Sequence, residues 1–210
     1  MGPPGSPRSI GEPSRKQPSL TDSMYAPAPR RIAPRRSGSF AWLICLDLQR
    51  DYVVPGRPRY APANAGVVEA CRRVLGDARE AGWRVVHSQV RHETAPMLMF
   101  GAPIEGLQPL VSESVFFRSG LSAFANPAFA SRLSEAVGSD VYLIGFSLPD
   151  TCLATALAAR DQGLSLTLIE DAIGAGAAAS TAEAARAVLR PHARLTKSGR
   201  LFAENMELAR

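Results

Sequence analysis

The amino-acid sequence predicts an α/β fold, a three-layer α/β/α Rossmann-like domain on a six-stranded, mainly parallel sheet. Two observations lead there. Short apolar runs of strand length alternate with longer stretches of helical periodicity, the pattern of a parallel sheet covered on both faces. Gly82 and Gly163 stand where helix C-caps are expected.

Taken in order, the first strand spans 41–47, the apolar run Ala41 to Leu46 ending on Asp47. A helix over 63–81 follows, stopped by Gly82, and then a strand over 84–89. Residues 91–113, rich in Pro, Gly and Met, are too irregular for an element and read as a lid or subunit contact, with Met97, Leu98, Met99 and Phe100 as interface or pocket wall. Strands at 114–118, 140–146, 165–169 and 193–196 alternate with helices at 127–137, 151–162, 180–190 and 199–208. The Ala-rich run Gly174 to Ala179 reads as a tight turn into the next helix.

Charge divides the chain. Residues 1–39 carry seven basic side chains against Glu12 and Asp22, which accounts for the whole formal charge of +5. Eight of the 17 prolines also lie there, and the segment is expected to be a disordered basic tail preceding a folded domain at 40–210. It has the composition of an organelle leader without an amphipathic helical pattern, and Met24 is an alternative start. No aromatic interleaving supports nucleic-acid binding, and no apolar run reaches membrane-spanning length. Three scattered cysteines argue against a disulfide framework, so a cytoplasmic setting is expected.

The chemistry concentrates in Ile144-Gly145-Phe146-Ser147-Leu148-Pro149-Asp150-Thr151-Cys152. An apolar strand gives way there to a helical pattern, with Asp150 or Thr151 as N-cap and Cys152 in the first turn. Helix N-termini and adjacent cations favour a thiolate and can bind an oxyanion. A lone cysteine is more often an inert small hydrophobe, which fits Cys45 and Cys71. Cys152 gains partners from Asp47 at the end of the first strand and Arg118 at the end of the third, the carboxyl edge where open α/β sheets bind ligands.

Four segments in order resemble the isochorismatase-like cysteine hydrolases, a family that includes nicotinamidases and N-carbamoylsarcosine and ureidoacrylate amidohydrolases. They are Asp47-Leu48-Gln49-Arg50-Asp51-Tyr52 against D-x-Q-x-D-[FY], Arg118 to Phe124 against K-x-x-x-[SD]-A-F, Gly145 to Thr155 around the nucleophile, and Ile169 to Ala172 against v-x-D-A. The resemblance implies the strand order 3-2-1-4-5-6 and a triad of Asp47, Arg118 and Cys152. It further implies substrate contacts at Gln49, His92, Phe124 and Leu148, a small-molecule substrate and a homo-oligomer. The implied reaction is hydrolysis of a small amide, carbamoyl or ureido C–N bond through a covalent acyl-enzyme. The family's oxyanion turn holds a non-proline cis peptide; here Pro149 points to a cis Leu148-Pro149 bond instead.

Two departures matter. Arg118 replaces the family's Lys, which leaves open a working variant triad, a substrate carboxylate held by Arg118, or a silent member that binds a molecule or partner; Arg118 could also lock Asp47 in a static bidentate bridge. Vinyl-ether hydrolysis of the isochorismate type is a further alternative. Val90 stands where the nicotinamidase metal motif has Asp, and His92 has no second His at the expected spacing, so no metal and no cofactor are expected. His87, Arg91 and His92 are candidates for the pocket rim.

Overall fold

A computed structural model describes residues 1–2, 41–57, 59–90, 101–176 and 179–201. Contacts divide the chain into Met1–Ala33 and Pro34–Arg210, and all elements below belong to the second unit. The expected tail, apart from its first two residues, lies outside the described residues. So do Met97 to Phe100 and most of the helix expected at 199–208, which is described only from Ser198 to Leu201.

Six strands form one sheet: β1 Trp42–Leu46, β2 Arg84–Val90, β3 Ser114–Arg118, β4 Val141–Gly145, β5 Leu166–Ile173 and β6 Arg194–Thr196. Their order is β3-β2-β1-β4-β5-β6 and every pairing is parallel. Among the described residues the α-helices with a full range are α1 Asn64–Glu80, α2 Pro127–Ser134, α3 Leu153–Asp161 and α4 Ala179–Leu189. Gly82 and Gly163 take positive φ just beyond α1 and α3, as C-caps do.

Strand periodicity sorts the core into two layers. Trp42, Ile44, Leu46, Val141 and Leu143 face Phe129 and Leu133 of α2, Ala156 and Ala159 of α3, and Ala182 and Leu189 of α4. Leu43, Cys45, Tyr142 and Ile144 face Val68, Cys71, Val74, Leu75 and Ala78 of α1. Each fully buried Leu, Ile or Phe stabilises by roughly 1.5–3 kcal/mol relative to exposure, so both layers are needed to hold the central strands flat against helices. α2 starts where the sequence places it, with the Asn126 side chain accepting from the N–H groups of Ala128 and Phe129 and Pro127 in the first turn.

β5 runs four residues beyond its expected end, because the sheet bulges between Leu143 and Gly145 and then pairs Gly145 with Ile173. Gly145 sits at φ 125°, and a Cβ there would lie 1.9 Å from the Leu46 carbonyl oxygen. Only glycine lets β1 and β4 converge at the edge that carries the site.

Arg79, His87 and Glu113 tie the segment before β3 to α1 and β2. The Arg79 guanidinium donates to both Glu113 carboxylate oxygens at 2.8 and 2.9 Å, and a His87 ring nitrogen lies 2.9 Å from Oε2. Burial alone would push the Glu113 carboxyl up; hydrogen bonds from His87, Arg79 and the Leu110 N–H outweigh it and hold it at about 2. A carboxyl depressed from 4.5 to about 2 contributes stability that is fully present above pH 4.5 and lost as pH falls through the folded value. Glu113→Gln should therefore lower Tm most near neutral pH, and the gap to the parent should close between about pH 4.5 and 2 in calorimetric scans. A gap independent of pH would mean that the carboxylate charge is not what the cluster uses.

Candidate functional site

β1 delivers Asp47 to the carboxyl edge of the sheet, one residue past the strand. Its backbone takes φ 46°, a left-handed conformation that Asp tolerates better than most residues. The turn is held by Asp47 N–H to the Ser88 carbonyl at 3.0 Å and by Gln49 N–H to the Asp47 carbonyl at 2.6 Å. The side chain is fully buried. A carboxylate without water needs donors from the protein.

Those donors come from two neighbouring strands. Arg118 closes β3 and reaches across the end of β2, donating through Nη1 to Asp47 Oδ1 at 2.8 Å and through Nη2 to Oδ2 at 2.6 Å. Both side chains are 0% exposed. The Val90 N–H at the end of β2 donates to Oδ1 at 2.9 Å, and the Tyr52 hydroxyl lies 3.5 Å from Oδ2. Arg118 Nε also donates to the Leu121 carbonyl at 3.3 Å. Its fork is committed to Asp47, so a substrate carboxylate could take it only by displacing that partner.

Cys152 arrives from the other side of β1. After β4 the chain makes a π-helical turn over Leu148–Cys152 in which the Cys152 N–H donates to the Ser147 carbonyl at 3.1 Å, and α3 begins at Leu153. Cys152 thus ends the π-helical turn in the right-handed helical conformation and is the N-cap position from which α3 continues. Asp150 and Thr151 do not cap the helix: Ser147 Oγ donates to the Asp150 carboxylate, and Thr151 Oγ1 donates to the Phe146 carbonyl. The cis peptide is Phe146-Ser147, not Leu148-Pro149. The lower cis cost of proline is a local preference, whereas this turn is set by tertiary bonds from Phe146 N–H to the Leu46 carbonyl and Leu148 N–H to the Gly174 carbonyl.

The thiol is completely buried. Burial first, and then the charge of Asp47, push Cys152 well above the usual thiol range, with Arg118 opposing. The resting group is a neutral thiol within the fields of one carboxylate and one guanidinium. Cys45 and Cys71 are buried in the α1 layer and are raised too, by burial first.

The remaining expected residues make the following contacts. Gln49 commits its amide to the backbone, donating to the carbonyls of Val90 at 3.3 Å and Gly101 at 3.1 Å. It joins the two ends of the stretch between them. Phe124 packs edge-on against Phe129, with centroids 5.1 Å apart. Leu148 is buried and lines a small cavity with Leu168, Glu170, Ile173, Arg186 and Leu195. His87 pairs with Glu113, while Arg91 and His92 lie outside the described residues. Among the described residues no three His, Cys, Asp or Glu side chains gather as metal ligands.

Sequence reasoning missed Tyr52 and the Val90 N–H. Tyr52 had a signal, as the hydroxyl-bearing choice at the last position of Asp47 to Tyr52. Val90 had none, since a backbone donor carries no side-chain signature.

The family model described as the isochorismatase domain matches residues 41–198. The chain is 27% identical to a maleamate amidohydrolase of Pseudomonas putida over 151 residues, 63% of this chain and 71% of the relative. A crystal structure of an isochorismatase from Pseudomonas putida superposes with a TM-score of 0.69 at 25% identity, covering 80% of this chain and 92% of that one. N-carbamoylsarcosine amidase from Thermoplasma acidophilum gives a TM-score of 0.63 at 19% identity, over 76% and 97% of the two chains, a likeness of fold.

Removing one partner of the buried pair leaves the other charged and unpaired. Arg118→Ala should destabilise the domain by about 3–5 kcal/mol in denaturant titrations. Asp47→Asn in the same background should recover part of that loss. Equal, additive losses in the two single variants would show that the pair is not coupled.

Proposed function

This chain belongs to the isochorismatase family and is a hydrolase, and on that premise we propose that it hydrolyses a small amide, carbamoyl or ureido compound through Cys152. The observation that carries the proposal is the convergence of Asp47, Arg118 and Cys152 from three separate elements at one sheet edge, with both charges acting on the thiol. The relative that acts on maleamate supports an amide bond as the one cleaved.

In the proposed reaction Asp47 takes the proton of the Cys152 thiol as Sγ bonds to the carbonyl carbon of the substrate. The tetrahedral intermediate collapses as the C–N bond breaks, and the proton held by Asp47 passes to the departing nitrogen. That leaves a thioester on Cys152. Water then attacks the thioester, giving its proton to Asp47. Sγ departs with that proton to restore the thiol, and the product is a carboxylic or carbamic acid. Splitting one difficult hydrolysis into two acyl transfers lowers each barrier.

Arg118 serves as a fixed cation. Its guanidinium stays protonated at working pH and never carries the moving proton. It stabilises negative charge on Asp47 at rest and on Sγ during attack. Its fork holds both carboxylate oxygens, a geometry that a lysine's single point charge does not reproduce.

Cys152→Ala should lower kcat for ammonia release from small amides by roughly a thousandfold or more, as loss of a nucleophile does. Acid quenching during turnover followed by intact-mass measurement should reveal the parent protein carrying one acyl group on Cys152. Turnover that survives Cys152→Ala overturns the nucleophile assignment. Arg118→Lys should keep or raise kcat, whereas a variant impaired chiefly in KM would place Arg118 against the substrate instead.

A further inference from the structure

Among the described residues, the Tyr52 hydroxyl is a side-chain group at this centre that the mechanism leaves unused. Tyr52 ends the short helical turn Arg50–Tyr52 and is 4% exposed. Its ring stacks on Phe146, with centroids 5.0 Å apart and planes at 16°, and its carbonyl accepts from Asn64 Nδ2 at 2.8 Å. The hydroxyl accepts from Arg59 Nη1 at 2.9 Å and donates to Asp47 Oδ2 at 3.5 Å. The Arg59 guanidinium carbon lies 5.6 Å from the ring centroid. Burial first, and then the charge of Asp47, push the phenol up against the opposing effect of Arg59, so the hydroxyl remains a donor at neutral pH.

A carboxylate offers about four acceptor positions. On Asp47 Oδ1 both are filled at short range, by Arg118 Nη1 and by the Val90 N–H. On Oδ2 one is filled by Arg118 Nη2 at 2.6 Å, and the other, among the described residues, holds only the long contact to Tyr52. That last position is the least costly place for an incoming proton, because filling it displaces the weakest of the four bonds.

We propose that Tyr52, held by Arg59, is a positioning residue that occupies the acceptor site on Asp47 Oδ2 where Cys152 delivers its proton, and thereby sets the strength of the base. This rests on Asp47 and Cys152 acting as proposed above. Among the described residues, the groups bearing on Asp47 are Arg118 from β3, the Val90 N–H from β2, Cys152 from the turn after β4, and Tyr52 with Arg59 behind it. Asp51 is buried on the same turn as Tyr52, and His87 of β2 is paired with Glu113.

The pH dependence of Cys152 alkylation by iodoacetamide, followed by peptide mass mapping, tests the proposal without turnover. Its acid limb reports protonation of the coupled thiol and carboxylate pair. Tyr52→Phe removes one donor from the carboxylate and should move that limb to higher pH by about half a unit, the effect of losing a long hydrogen bond. Arg59→Gln, at an exposed position, should move it in the same direction. The double variant should move it no further than Tyr52→Phe, since Arg59 acts through the hydroxyl. Variants that alter the rate equally at every pH, with the limb in place, overturn the proposal and leave Tyr52 a packing residue. Additive shifts overturn the route from Arg59 through Tyr52. A limb that shifts in a protein that hydrolyses no amide would instead sink the proposed function and leave the role of Tyr52 standing.

Discussion

The buried pair of Asp47 and Arg118 is the constraint on which the rest of the site depends. Two opposite charges removed from water must satisfy one another and their remaining hydrogen-bonding positions, or the fold loses several kcal/mol. The sheet meets that demand by bringing three neighbouring strand ends together. β1 supplies the carboxylate, β2 a backbone N–H, and β3 the guanidinium. The parallel order makes this possible, since all three strands end on the same edge.

The same constraint explains the surroundings. Asp47 adopts a left-handed backbone, which costs about 1–2 kcal/mol for most side chains and survives because six hydrogen bonds from described residues to its main chain and carboxylate fix its orientation. Gly145 lets β4 close against Leu46 so that the Cys152 turn arrives beside the pair. Gln49 commits its amide to the carbonyls of Val90 and Gly101, and the N–H of the same residue, Val90, donates to Asp47. Residues far apart in the chain thus serve one carboxylate.

Arg118 gives this centre a character different from one built on lysine. A guanidinium engages both oxygens of a carboxylate in one plane, which raises order and lowers basicity together. The buried thiol of Cys152 is raised by burial first and then by the charge of Asp47, with Arg118 opposing, so it rests as a thiol rather than a thiolate.

The sequence by itself determined the alternation of strands and helices, the helix stops at Gly82 and Gly163, the strand ends that carry Asp47 and Arg118, and the strand-to-helix junction that carries Cys152. These are local properties: short continuous apolar runs, capping residues and chain order are written within a few residues of where they act. The strand order came from the resemblance of motifs, not from periodicity. Only the tertiary structure decided that the cis peptide precedes Ser147, that β5 continues to Ile173, that Gln49 grips the backbone, and how the four acceptor positions of Asp47 are shared. Each depends on distances between residues tens of positions apart and on backbone donors without a side-chain signature. A linear pattern carries no record of which atoms meet across a sheet edge.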